Sequence, residues 1–164
     1  MSDLQIKLLQ DMPIFGAIRE DVLRYLLEQT RMVEVAAGDF FYHEGEQGHS
    51  LYVLESGTVS ILKHWHEHEL ELGRFGPGDC FGEMSLLDPN PRSASVRAVD
   101  ACVAIEIGNV ELYGLFKYDL EQFTLIQMNI SRELCRRLRI TGDMLFKARM
   151  GEMAESMGIN LRSA

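Results

Sequence analysis

The residues of this 164-residue chain with the clearest chemistry lie in one stretch, Phe81-Gly82-Glu83-Met84-Ser85-Leu86-Leu87-Asp88-Pro89-Asn90-Pro91-Arg92-Ser93-Ala94-Ser95-Val96. Their types and spacing fit an anion pocket. Gly82 lets the backbone pass close to a ligand. Glu83, Met84 and Ser85 follow in an expected one or two turns of helix, whose free N–H groups would face a phosphate. Pro89 ends that helix, and Pro91 holds Asn90 extended, which sets the direction in which Arg92 departs. Arg92 offers phosphate oxygens a planar two-pronged donor, and Ser93 adds a hydroxyl or an N–H. Glu83 would repel a phosphate unless it accepts a hydrogen bond from something neutral, and a ribose hydroxyl attached to that phosphate is such a donor. One guanidinium, one carboxylate and a few amides suit a singly charged phosphodiester better than a triphosphate. That points to a cyclic mononucleotide.

A second constellation competes. In His64-Trp65-His66-Glu67-His68, alternate strand residues would share a face, and three imidazoles there could bind a metal. Gly57, His64, His66, Glu71 and Gly78 come within one residue of the spacing of the first metal motif of cupins, jelly rolls that are often metal-dependent enzymes. Cupins bring a further histidine from downstream, and none follows His68. The chain has no Gly-x-Ser-x-Gly elbow, no glycine-rich lysine loop and no nucleophile paired with a base, so no catalytic residue and no metal ligand is expected.

The elements that must position these residues follow from periodicity. Leu4, Leu8 and Leu9, then Val22, Leu23, Leu26 and Leu27, recur at helical spacing and predict N-terminal helices. From Arg31 to Ile107, β-branched and aromatic runs predict about eight strands. These are Met32 to Val35, Phe40 to Tyr42, Leu51 to Leu54, Thr58 to Leu62, Glu69 to Leu72, Asp79 to Phe81, Ser95 to Ala98 and Cys102 to Ile107. Gly38, Gly45, Gly48, Gly57, Gly76 and Gly78 fall between them as expected turns. The expected fold is mainly β with flanking helices: an eight-stranded antiparallel jelly roll, or β-roll, with N-terminal helices and a long C-terminal helix. Phe123, Ile126, Ile130, Leu134, Leu138, Thr141, Leu145 and Ala148 form one stripe that outruns a single domain and needs a partner. Residues 1–148 are read as one domain and 149–164 as a loosely ordered tail.

Composition narrows the function. Sixteen Lys and Arg against 25 Asp and Glu give a net charge of -9, which argues against a chain devoted to a nucleic-acid backbone. The long helix is the exception, with Arg132, Arg136, Arg137, Arg139, Lys147 and Arg149 against Glu133 and Asp143 between 130 and 149. No uncharged run exceeds the ten residues Gln122 to Ser131, half of what a membrane helix needs, and residues 1–15 lack a secretory pattern, so a cytoplasmic protein is expected. Cys80, Cys102 and Cys135 are odd in number and far apart, as isolated thiols in a reducing compartment would be.

The 81–96 stretch resembles the phosphate-binding cassette of the cyclic nucleotide-binding domain family, which includes catabolite activators, protein-kinase regulatory subunits and gated channels. Gly38-Asp39, Glu44-Gly45-Glu46, Leu51-Tyr52-Val53-Leu54-Glu55-Ser56-Gly57 and Gly76-Pro77-Gly78-Asp79 resemble the turns of that family's β-roll, so the similarity runs from about Ile14 to Ala148. The resemblance implies a non-enzymatic sensor with no cofactor and with cAMP, or less readily cGMP, as ligand. It implies Glu83 on the ribose 2′-hydroxyl, Arg92 and Ser93 on the cyclic phosphate and backbone contact from Gly82, with Met84 and Ser85 in the same site. Arg136-Arg137-Leu138-Arg139-Ile140-Thr141 is similar to the catabolite-activator segment where an arginine nears the ribose and a Thr-Ser pair meets adenine, the serine coming from the partner subunit. Arg137 and Thr141 match; Gly142 stands in place of the serine, which weakens adenine preference and supplies a hinge.

The implied mechanism is a switch in which the helix repacks because Arg137 and Thr141 contact the ligand-bound form only. A homodimer through the 123–148 helix and an unidentified protein partner are expected, without a membrane. Catabolite activators carry a helix-turn-helix domain after this helix, and 16 residues follow Ala148, so DNA reading is not expected of this chain alone. The alternatives are the sensor portion of a cAMP-responsive transcription regulator and, third, a cupin-like metal enzyme.

Overall fold

The computed structural model describes residues 3–66 and 68–156. Two helices open the chain, α1 (Asp3–Gln10) and α2 (Glu20–Gln29), with a single 3₁₀ turn at Pro13–Phe15 between them. Val22, Leu23, Leu26 and Leu27 of α2 are all buried, as their spacing requires. In α1 the buried stripe is Ile6 and Leu9, continued by Met12, while Leu4 is exposed. The α2 start is tied to the far end of the chain by the Arg19 N–H, which donates to the Gln122 side chain at 2.8 Å.

Eight strands follow: β1 (Arg31–Val35), β2 (Phe40–Tyr42), β3 (Ser50–Ser56), β4 (Val59–Trp65), β5 (His68–Phe75), β6 (Cys80–Phe81), β7 (Ser95–Ala98) and β8 (Cys102–Gly108). They form two four-stranded antiparallel sheets, ordered β1-β8-β3-β6 and β2-β7-β4-β5. Every strand expected from the sequence is present. Gly38, Gly45, Gly57 and Gly78 adopt positive φ at their turns, whereas Gly48 and Gly76 do not.

The first sheet is covered on both faces, and this explains why β3 reads as a continuous apolar run rather than an alternation. Tyr52 and Leu54 of β3, Phe81 of β6 and Cys102 and Ala104 of β8 face the second sheet, where they meet Val59, Val96 and Ala98. Leu51, Val53, Ile105 and Ile107 face the other way, into a core built with the helices. The second sheet's β5 is almost wholly solvent-facing.

After β8 the chain forms α3 (Asn109–Tyr118), opened by a hydrogen bond from the Gly108 N–H to the Glu111 carboxylate at 2.9 Å. Gly108 and Gly114 and an exposed Val110 blur its periodicity, so the sequence carried little sign of it. The last helix, α4 (Leu120–Ser156), has 37 residues and spans about 55 Å. Ile126 and Ile130 are buried in the helical core, and Phe123 and Leu134 pack against it. From Leu138 onward the same stripe is exposed. The helix runs past the Ala148 boundary to Ser156; residues 157–164 lie outside the described residues.

Candidate functional site

The site is built where β6 ends. Gly82, at φ +83°, turns the chain into a single 3₁₀ turn, Glu83–Leu86, shorter than one or two α-helical turns and closed three residues before Pro89. The Ser85 N–H bonds the Gly82 carbonyl, so the Glu83 and Met84 N–H groups begin the turn without a carbonyl inside it. An Asp88 carboxylate oxygen accepts from the Asn90 N–H at 2.9 Å and shapes the approach to Pro91.

Arg92 is 6% exposed, and among the described residues no carboxylate lies within 4.0 Å of it. Neutral acceptors hold it instead. Its Nη1 donates to the Ser50 carbonyl (2.9 Å), the Gly82 carbonyl (3.1 Å) and the Ser85 hydroxyl (2.9 Å). Its guanidinium lies 4.0 Å from the centre of the Tyr42 ring. Burial pushes the Tyr42 phenol up, so it stays neutral there. Arg92 Nε is buried without a hydrogen-bond partner. A buried cation without a counter-charge costs several kcal/mol, and an anion brought to it offsets that cost.

The loop between β2 and β3 is fitted around this side chain. Gly45 N–H bonds the Arg92 carbonyl, and Arg92 N–H bonds the Glu46 carbonyl. A Cβ on Gly48 would stand 2.2 Å from Arg92 Nε, and one on Gly82 would stand 2.6 Å from Nη1. Gly48 therefore makes room for the Arg92 side chain.

Glu83, 3% exposed, is the opposite pole. Its Oε1 accepts from Arg137 Nη1 at 2.7 Å. Arg137 also donates from Nη2 to the Cys80 carbonyl (3.1 Å) and from Nε to Glu133 (2.9 Å), and lies 5.3 Å from the Phe75 ring centre. Desolvation opposes its charge, but Glu83 and Glu133 outweigh it and hold its proton more tightly than usual. The Cys80 thiol beside it is pushed up to about 12 by burial and is unreactive at neutral pH.

All eight residues expected at the site, Gly82, Glu83, Met84, Ser85, Arg92, Ser93, Arg137 and Thr141, border one cavity of about 780 Å³ between the β-roll and α4. Leu72, Phe75, Leu134 and Leu138 give it an apolar wall, and Glu133 and Arg136 line it as well. Arg137 binds Glu83 and the Cys80 carbonyl through the protein's own contacts, which places it over the end of β6. Thr141 is exposed, and its hydroxyl donates to the Arg137 carbonyl at 3.0 Å.

The histidine constellation does not assemble. The hairpin pairs His64 with Glu69 and Trp65 with His68, which puts His64 and His68 on opposite faces, while His66 occupies the turn at φ +54°. His64 lies 3.3 Å from Glu69 and 3.8 Å from Glu44. Among the described residues, no group of three or more His, Cys, Asp or Glu could hold a metal, and no helix is long and apolar enough to cross a membrane.

Sequence comparison adds the decisive observation: the family described as the cyclic nucleotide-binding domain matches residues 32–119. This chain belongs to that family. Members are regulatory, non-enzymatic domains. The cyclic nucleotide-binding domain here is 33% identical over 132 residues to the cyclic AMP receptor protein of Thermus thermophilus, covering 77% of this chain and 57% of that protein. It is 33% identical over 100 residues to the cAMP-dependent protein kinase regulatory subunit of Hypocrea atroviridis, covering 61% of this chain and 21% of that protein. The crystal structure of the Thermus thermophilus catabolite activator protein matches with a TM-score of 0.74 at 29% identity, covering 84% of this chain and 63% of that chain. The domain thus spans about three fifths of its bacterial relatives, 57% of one and 65% of another.

Proposed function

We propose that the cavity between the β-roll and α4 binds a cyclic mononucleotide, cAMP in preference to cGMP, and that the domain is a sensor whose output passes through α4. The observation that carries this reading is Arg92, a buried guanidinium with an unpartnered Nε and no carboxylate beside it, bordering a cavity large enough for a nucleotide. One positive charge matches one phosphodiester. In this reading Arg92 and Ser93 hold the cyclic phosphate, and the Glu83 and Met84 N–H groups, next to Gly82 and Ser85, add donors. Glu83 accepts the ribose 2′-hydroxyl, Arg137 fixes Glu83, and Thr141 borders the base. The preference for cAMP rests on relatives named for cAMP.

The exposed second half of the α4 stripe supports a homodimer formed by pairing with its copy. Because the chain spans only 57% and 65% of two bacterial relatives, the domain also fits the sensor portion of a larger cAMP-responsive transcription regulator in the cytoplasm.

Calorimetric titration with cAMP, cGMP and a cyclic dinucleotide tests the ligand. Arg92→Ala is expected to remove about 2–5 kcal/mol of cAMP affinity, as loss of one partner in a desolvated charge contact does. Failure of the wild type to bind cAMP, or equal binding by the variant, rejects the site.

A further inference from the structure

Glu133 is a buried carboxylate on α4, 7% exposed, in the wall of the ligand cavity. Its Oε2 accepts from Arg136 Nε at 2.8 Å, and its Oε1 accepts from Arg136 Nη2 at 2.6 Å and from Arg137 Nε at 2.9 Å. Arg137 then reaches Glu83 with Nη1 and the Cys80 carbonyl with Nη2. Each of the three Arg137 nitrogens therefore has its own acceptor, on α4, on the 3₁₀ turn and on β6. Three acceptors in three directions fix the plane of a guanidinium, whereas two leave it free to swing. The fixed plane occupies Glu83 Oε1. Among the described residues Glu83 Oε2 has no partner, and it is the acceptor left for a hydroxyl donor.

We infer that Glu133 is a positioning residue that sets how strictly this site demands a ribose 2′-hydroxyl, acting through Arg137 on Glu83. The inference rests on the cyclic-nucleotide reading of the cavity. Without the Glu133 charge, the Arg137 Nε bond loses its charge assistance, and the guanidinium is drawn toward both Glu83 oxygens as a bidentate pair and takes the acceptor that the hydroxyl needs. The phosphate end, held by Arg92, stays as it was. Loss should therefore fall on ligands that carry the hydroxyl and spare those that lack it.

The full chain is titrated calorimetrically with cAMP and with 2′-deoxy-cAMP, as wild type, Glu133→Gln and Glu133→Asp, with thermal melting of each protein as a check on folding. The wild type is expected to prefer cAMP by about tenfold or more, the worth of a hydrogen bond to a charged acceptor. Both variants are expected to reduce that ratio to about threefold or less, with 2′-deoxy-cAMP affinity nearly unchanged. Aspartate keeps the charge but withdraws it by one methylene, so it reads the same geometry if glutamine prevents folding. An unchanged ratio, with both affinities falling together or with neither falling, overturns the inference while leaving the cyclic-nucleotide site standing. A wild type that binds neither ligand overturns both.

Discussion

A guanidinium held only by carbonyls, a hydroxyl and an aromatic face keeps its full charge available to a ligand, and this distinguishes Arg92 from every other buried charge in the site. Glu83 and Glu133 are balanced by Arg137 and Arg136; Arg92 does not take part. The space around it is set by an absent side chain at Gly48. Its clash would be with the flexible end of Arg92 rather than with backbone, so the fold can absorb a methyl there by moving the guanidinium. Gly48→Ala is therefore expected to leave the melting temperature within a few degrees of wild type while weakening cAMP binding by about tenfold or more, the cost of displacing a charge-assisted contact. Calorimetry and thermal melting on the same sample check the pair of outcomes. A large stability loss with normal affinity would place the role of Gly48 in folding instead.

At the scale of elements, α4 is two helices in energetic terms. Its first half is held by Ile126 and Ile130 in the core, by Gln122 on the Arg19 N–H and by Asn129, which donates to the Gly16 carbonyl at 2.9 Å. Arg137 ties it to the β-roll through Glu83 and Cys80. The Arg136 hydrogen bonds, ahead of the unfavourable burial and with Arg137, hold the Glu133 carboxyl below its usual range. A carboxyl with a lowered folded value stabilises the protein above its ordinary titration range, and that contribution disappears as pH falls through the folded value. The melting-temperature gap between wild type and Glu133→Gln is expected to be full at pH 6–7 and to close below about pH 4; a gap independent of pH would show that packing, not charge, is what Glu133 supplies. Gly142 lies beyond these ties, with open space where a Cβ would stand. Gly142→Ala is expected to stabilise the helix by about 1 kcal/mol, raising the melting temperature by about 2–4 °C. If it also weakens the response of α4 to ligand, Gly142 is the hinge.

At the scale of the molecule, the exposed half of α4 presents Leu138, Met144, Leu145 and Phe146 to solvent in a chain whose net charge is -9. In the proposed homodimer a second copy would cover this apolar helix face. Leu134 is unsuitable for testing this, because it packs against the core of its own chain. Leu145, 62% exposed, touches no core. Leu145→Glu is expected to convert a sedimenting dimer to a monomer without changing the melting transition of the β-roll, and a wild type that sediments as a monomer at high concentration removes the dimer.

Much of this was legible along the chain. Strands and turns follow from alternation and glycine placement, which are local properties, and the cassette from Gly82 to Ser93 carries its chemistry in consecutive residues. The α3 helix was not legible, because its glycines mask a stripe of only two buried leucines, Leu112 and Leu115. The false histidine site had the opposite cause: hairpin register, set by the turn at His66, decides which side each imidazole faces, and spacing alone does not. Sequence by itself determined the β-roll and the family and marked the two poles of the candidate site, since each signal is carried by neighbours a few residues apart. Only the tertiary structure decided that Gly48 shapes the Arg92 pocket and that Glu133 orients Arg137 toward Glu83. Those contacts join residues 42 and 54 positions apart for Arg92–Ser50 and Arg137–Glu83, and they exist only once β3, β6 and α4 have packed against one another.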